Sequence, residues 1–90
     1  MNNKMLFSLG TVVCTPGTVG MNHRAMQDLL NRHQSGDWGD VCQEDKEAND
    51  ADVEGWGGLM SVYNETEVGK VWIMTEWDRS VTTVLLPEEY

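Results

Sequence analysis

His33, Glu76 and Arg79 are an imidazole, a carboxylate and a guanidinium. These are the group types that acid–base cleavage of RNA through its 2′-hydroxyl would use. The imidazole and carboxylate would move protons at neutral pH, and the arginine would stabilise the charge developing on the phosphate. Glu44 and Asp78 are further candidates for the acid–base role. Each residue also has a structural reading. His33 reads as a partly buried cap at a helix end, and Glu76 with Arg79 as an ion pair across a turn. Such a pair is worth about 0–1 kcal/mol when exposed. Metal ligation has less support. His23 and His33 are ten positions apart, and no cysteine pair has zinc-ligand spacing. The run EDKEANDAD lacks the central glycine and regularly spaced oxygen ligands of a calcium loop. No cofactor is expected.

Cys14 and Cys42 are the two cysteines. Cys42 falls near a predicted helix N-terminus, which lowers a thiol pKa, while the surrounding carboxylates oppose that shift. The favoured reading is a reduced pair of small core residues. A Cys14–Cys42 disulfide is the alternative, and it needs the first strand beside the second helix.

Charge carries the stronger signal. The 90 residues have a formal net charge of −9, which opposes direct binding to nucleic acid. It favours solubility and basic partners. Asp37 to Glu54 holds eight of the fifteen acidic residues against the single Lys46, a local net charge of −7. Asp37, Asp40, Glu44, Asp45, Glu47, Asp50 and Asp52 are the candidate charges for a basic protein groove. Carboxylates would compete there for arginines and lysines that otherwise hold phosphate. Trp38 and Trp56 flank the stretch and are the candidate apolar anchors. The structural alternatives are a solvated helix face and two tryptophans covering a thin core, a role that suits Trp38 better than Trp56.

These residues need a scaffold, and ninety residues supply one domain with a modest core. Lys70 to Leu86 reads as two strands around Trp77-Asp78-Arg79, with β-branched and aromatic residues alternating at period two. Apolar side chains on both faces imply a central hairpin. The first four residues read as a polar frayed end. Met5 to Cys14 reads as a first strand rather than a signal peptide, with Gly10 as a bulge or close-approach point. Met21 to Gln34 is the best helix, with Asn22 as its cap and Met21 and Met26 as a staple. Met26, Leu29, Leu30 and His33 share one helical face, and Gly36 ends the helix. A second helix is expected from Val41 to Glu54, with Asp40 and Gln43 as a capping box. Leu59 to Asn64 reads as a strand, and Glu65 to Gly69 as a loose hairpin loop. The fold class expected is α+β: an antiparallel sheet of about four strands in the order β-α-α-β-β-β, with two helices packed on one face. No run of about 18 apolar residues exists to cross a membrane, and a cytoplasmic location is expected.

Two resemblances add to this. LMSVYN followed by KVWIMTEWDRSVTTVLL resembles the sheet of small barnase-like ribonucleases, which implies RNA cleavage by His33, Glu76 and Arg79. The histidine those enzymes carry near the C-terminus is missing. Over nearly the whole chain, GTVVCTPG, LLNRHQSGDWGD, EDKEAND and TEWDRSVTTVLLPEEY resemble a family of small proteins carried on bacterial plasmids and other mobile elements, loosely labelled as related to type I restriction systems. That resemblance implies, by analogy, help for foreign DNA against host defence. The leading expectation is an acidic anti-restriction or anti-CRISPR type inhibitor bound to a basic surface of a restriction or CRISPR subunit. A ribonuclease or toxin is the alternative. An open edge strand, with the first as candidate, would also allow a homodimer.

Overall fold

The structure, a computed structural model, describes residues 4–90; the frayed end expected for residues 1–4 lies, for residues 1–3, outside them. The elements are β1 (Thr11–Cys14), α1 (His23–Gln34), α2 (Gln43–Asp52), β2 (Leu59–Thr66), β3 (Gly69–Thr75), β4 (Val81–Leu85) and a final 3₁₀ turn, Pro87–Glu89. The class is α+β, in the expected order. The four strands form one sheet ordered β1-β4-β3-β2, which puts the β3–β4 hairpin at its centre. One pairing differs from expectation: β1 runs parallel to β4, with Thr11 opposite Val81 and Cys14 opposite Val84. The sheet is therefore mixed.

β1 is shorter than its apolar run. Gly10 has φ +63°, and a Cβ there would collide with the Ser80 carbonyl. The chain turns at that close approach, and only the residues after it join the ladder. Residues 5–9 follow the end of α1 instead. Leu6 N–H donates to Gln34 O at 2.9 Å, and Gln34 Nε2 donates to Phe7 O at 2.8 Å.

Alternation sorts the sheet into two faces. Leu59, Ser61 and Tyr63 of β2, Val71, Ile73 and Thr75 of β3, and Thr82 and Val84 of β4 are buried. α1 covers this face with Leu29, Leu30 and His33. Together with Met21, Leu29 and Leu30 pack against Tyr63, Val71, Ile73 and Val84 as the core. Burying each large apolar side chain stabilises the fold by about 1.5–3 kcal/mol. Asn22 caps α1 as expected, its side chain accepting from Ala25 N–H at 3.1 Å.

α2 departs from the expected packing. Its N-cap is Cys42, which makes no side-chain cap bond. Asp40 and Gln43 form no capping box: Asp40 accepts from Asn64 N–H at 2.8 Å, and Gln43 donates to Glu47 at 3.0 Å. Rather than lying on the core face beside α1, the helix lies along the outer edge of β2 and buries only Asn49. With so few apolar residues, polar contacts are what hold it.

Candidate functional site

α2 docks through one side chain that substitutes for a strand. The Asn49 amide donates to Met60 O at 2.8 Å and accepts from Met60 N–H at 3.2 Å. Further along the same edge, Val62 N–H donates to Trp38 O, and Asp40 N–H donates to Val62 O. The outer edge of β2 is thereby occupied at Met60 and Val62, which leaves β1 as the open edge of the sheet.

Two more contacts fix the helix. Trp38 is 2% exposed, and its indole N–H donates to Asp50 Oδ1 at 2.8 Å. Trp38 therefore belongs to the core rather than to a contact surface. Its role for the acidic face is to hold Asp50. Arg79 secures the other end. Its guanidinium donates to Asp52 O at 2.6 Å and Gly57 O at 2.7 Å, and to Trp77 O within its own turn. The cross-turn ion pair expected between Glu76 and Arg79 is not formed, because main-chain carbonyls take the guanidinium. A cation on the last carbonyls of α2 offsets a helix terminus that carries no basic residue of its own.

The carboxylates differ in how free they are. Glu44, Asp45, Glu47, Asp50 and Asp40 are exposed, and Asp52 is half-buried. Asp37 forms an ion pair with Arg32 at 2.7 Å, the one such pair among the described residues. The Arg32 hydrogen bond holds the Asp37 carboxyl below the usual aspartate range, and Asp37 in turn raises Arg32. Asp37 thus adds little unpaired charge. Glu44 and Asp45 lie in the first turn of α2, where negative charge suits the helix dipole. Trp56 is 80% exposed and stands edge-on to Trp77, ring centroids 6.0 Å apart.

His33 packs beneath Trp38 on the buried side, ring centroids 5.6 Å apart. It is 0% exposed, deeper than a helix-end cap. Nδ1 is 2.6 Å from Ser61 Oγ and Nε2 is 2.9 Å from Thr75 Oγ1. Thr75 Oγ1 is 2.8 Å from Thr82 Oγ1, which donates to Leu9 O at 2.7 Å. The carbonyl fixes every proton in the chain. Thr82 donates to Leu9, Thr75 donates to Thr82, the imidazole donates from Nε2 to Thr75, and Ser61 donates to Nδ1. A neutral ring satisfies all of these bonds. Burial accordingly lowers the His33 pKa to about 3. Phe7 and Trp38 close over the ring, with centroids 5.3 and 5.6 Å away.

Ser61 and His33 have the spacing of a nucleophile and its base. Yet both are fully buried, and an imidazole so acidified takes up little proton near neutrality. Glu76 is exposed outside β3, and Arg79 is occupied by carbonyls. His33, Glu76 and Arg79 are not assembled around a common point. Ser61, Thr75, Thr82 and Asn49 were missed as partners in the sequence. For the three hydroxyl residues the available signal was a hydroxyl on the buried parity of a strand, which must find a bond; Asn49, an amide on α2, carried no such signal.

Cys14 and Cys42 are both free and exposed, neither the core residues expected nor a disulfide. Among the described residues, no group of three or more histidines, cysteines or acids is arranged to hold a metal, and no helix is long and apolar enough to cross a membrane. Comparison with known proteins finds no matching family model, no matching curated protein and no matching solved structure.

Proposed function

We propose that this protein is a small acidic binding protein that engages a basic surface on a nucleic-acid-handling complex, inhibiting it by occupying ground that DNA or RNA would take. One observation carries the reading. α2 is a helix with a single buried side chain, fixed in place by Asn49, Trp38 and Arg79, so Glu44, Asp45, Glu47 and Asp50 face water from a rigid support. A disordered acidic segment would lose conformational entropy on binding; a fixed row of carboxylates is already ordered. Opposite charge steers association and screens with salt. The narrower reading, a restriction or CRISPR subunit as target, rests on the resemblance to mobile-element proteins.

The test is a tagged pull-down from bacterial lysate at low and high salt, followed by mass spectrometry and competition with DNA and RNA. Glu44→Lys/Glu47→Lys is the matched variant, because neither side chain anchors the fold. The expected result is a nucleic-acid-handling subunit that salt or nucleic acid releases and that the variant fails to retain. Retention unchanged by salt and by the variant would overturn the acidic-surface reading.

A further inference from the structure

The second face of the sheet carries Met60, Val62, Trp72, Met74, Val81 and Thr83, all half-buried. Beside Leu85, which is buried, Tyr90 after the final 3₁₀ turn stands edge-on to Trp72, ring centroids 5.8 Å apart, and no α-helix covers Met74. Part of this face forms a trough. One hollow of about 190 Å³ lies between α2 and β2, lined by Val41, Ala48 and Met60 and rimmed by Asp45 and Asp52. A second, of about 300 Å³, continues over Met60 and Met74 to Trp77, with Glu76 at its rim. The two share Gly58 and Met60, so the floor is continuous where Gly58 has no side chain. Trp77, 55% exposed and edge-on to Trp56, closes one end.

We infer that this trough docks a cationic amphipathic helix of a partner protein. This deepens the acidic-binding reading and rests on it for the partner's charge. The floor is methionine-rich, and methionine adapts its shape to different apolar side chains. The walls carry carboxylates at Asp45, Asp52 and Glu76, positioned for lysine or arginine on the flanks of a helix whose apolar stripe enters the trough. Anchors at i, i+3 or i+4, and i+7 match this mode. A strand is a poor occupant, because the main chain of β2 beside the trough is already bonded by Asn49, Trp38 and Asp40. A second copy of this chain is equally unsuited. It would bring its own net charge of −9 and set its acidic rim against an identical one.

The test titrates full-length protein with an 18-residue Leu/Lys amphipathic peptide, a scrambled peptide of the same composition, and a Leu/Glu amphipathic peptide. Binding is read by tryptophan fluorescence and by NMR shifts of the methionine methyl and indole signals. The diagnostic variant is Gly58→Leu. Gly58 has no left-handed φ, and an added Cβ would meet only Thr75 O at 3.4 Å, so the plug fills the trough without straining the backbone. The expected result is binding of the Leu/Lys peptide alone, with shifts at Met60, Met74 and Trp77. Gly58→Leu should weaken it at least tenfold, with an unchanged unfolding midpoint. Equal binding of the scrambled peptide, or shifts confined to the outer face of α2, would overturn the trough and leave the acidic-surface reading standing. A dimer in sedimentation that Gly58→Leu dissociates would overturn the choice of occupant.

Discussion

With both ring nitrogens and three hydroxyls committed in one direction, His33 makes the fold sensitive to acid. The unfolded imidazole titrates near 6.5 and the folded one near 3, so between those values the unfolded chain holds the extra proton. Stability is therefore complete above about pH 6.5 and falls by about 1.4 kcal/mol per pH unit below it. Asp37, Asp78 and Glu89 are all held below their ordinary values, the last two by hydrogen bonds from Ser80 and Thr15. Their contribution is present above their unfolded pKa and is lost only as pH falls through the lower folded value. The interval from pH 6.5 to 5 thus belongs to the histidine. Urea midpoints across that interval should slope for the parent chain and flatten in His33→Gln; a flat parent profile would contradict the buried neutral ring. Arg79 gives a second prediction. Its φ of +62° is costly for any residue with a Cβ, and its guanidinium bonds stabilise the fold. Arg79→Ala should lose about 1–3 kcal/mol, whereas Arg79→Gly should recover about 1 kcal/mol of that loss. Equal stability of the two variants would argue against the left-handed backbone.

Among the elements, α2 depends on contacts that apolar periodicity does not reveal. Asn49→Ala removes the amide that bonds both polar groups of Met60. We expect a loss of about 1–3 kcal/mol, with faster hydrogen exchange at the Met60 amide and throughout α2 while α1 stays protected. Uniform acceleration across the molecule would mean that α2 does not open on its own. The same contrast explains what the sequence disclosed. α1 was readable because Leu29, Leu30 and His33 repeat at helical spacing and Asn22 caps it. The central hairpin was readable because Val71, Ile73 and Thr75 alternate with Trp72 and Met74. The place of α2 was not, since it rests on one amide, an indole from another loop and an arginine 27 positions beyond Asp52. Nor was the parallel pairing of β1, because Thr11-Val12-Val13-Cys14 would suit either direction. At the candidate surface, composition identified the acidic residues and the exposed Trp56. It favoured core cover for Trp38 over Trp56, and Trp38 is indeed the buried one, but it did not reveal the trough, whose floor joins Met60 and Met74 from different strands.

For the molecule as a whole, the charge of −9 works against folding and in favour of association, and salt separates the two. Screening weakens self-repulsion within the folded chain. The thermal midpoint should rise between about 10 and 150 mM salt, with a Debye length of ~10 Å near 0.1 M, while capture of a basic partner falls over the same range. If both moved in the same direction, the acidic surface would not be acting through charge. The parallel pairing of Thr11 with Val81 has a consequence in time. At roughly 5–20 residues per second of synthesis, β1 exists for about 4–14 s before β4 is made to receive it. During that interval the uncharged strand Thr11–Cys14 has no neighbour on either side. The hydroxyl chain of His33 is also incomplete, since Thr82 arrives with the same late strand. The newborn chain, rather than the finished protein, is thus the form most prone to aggregate, and a chaperone's hold on it would matter most in those seconds.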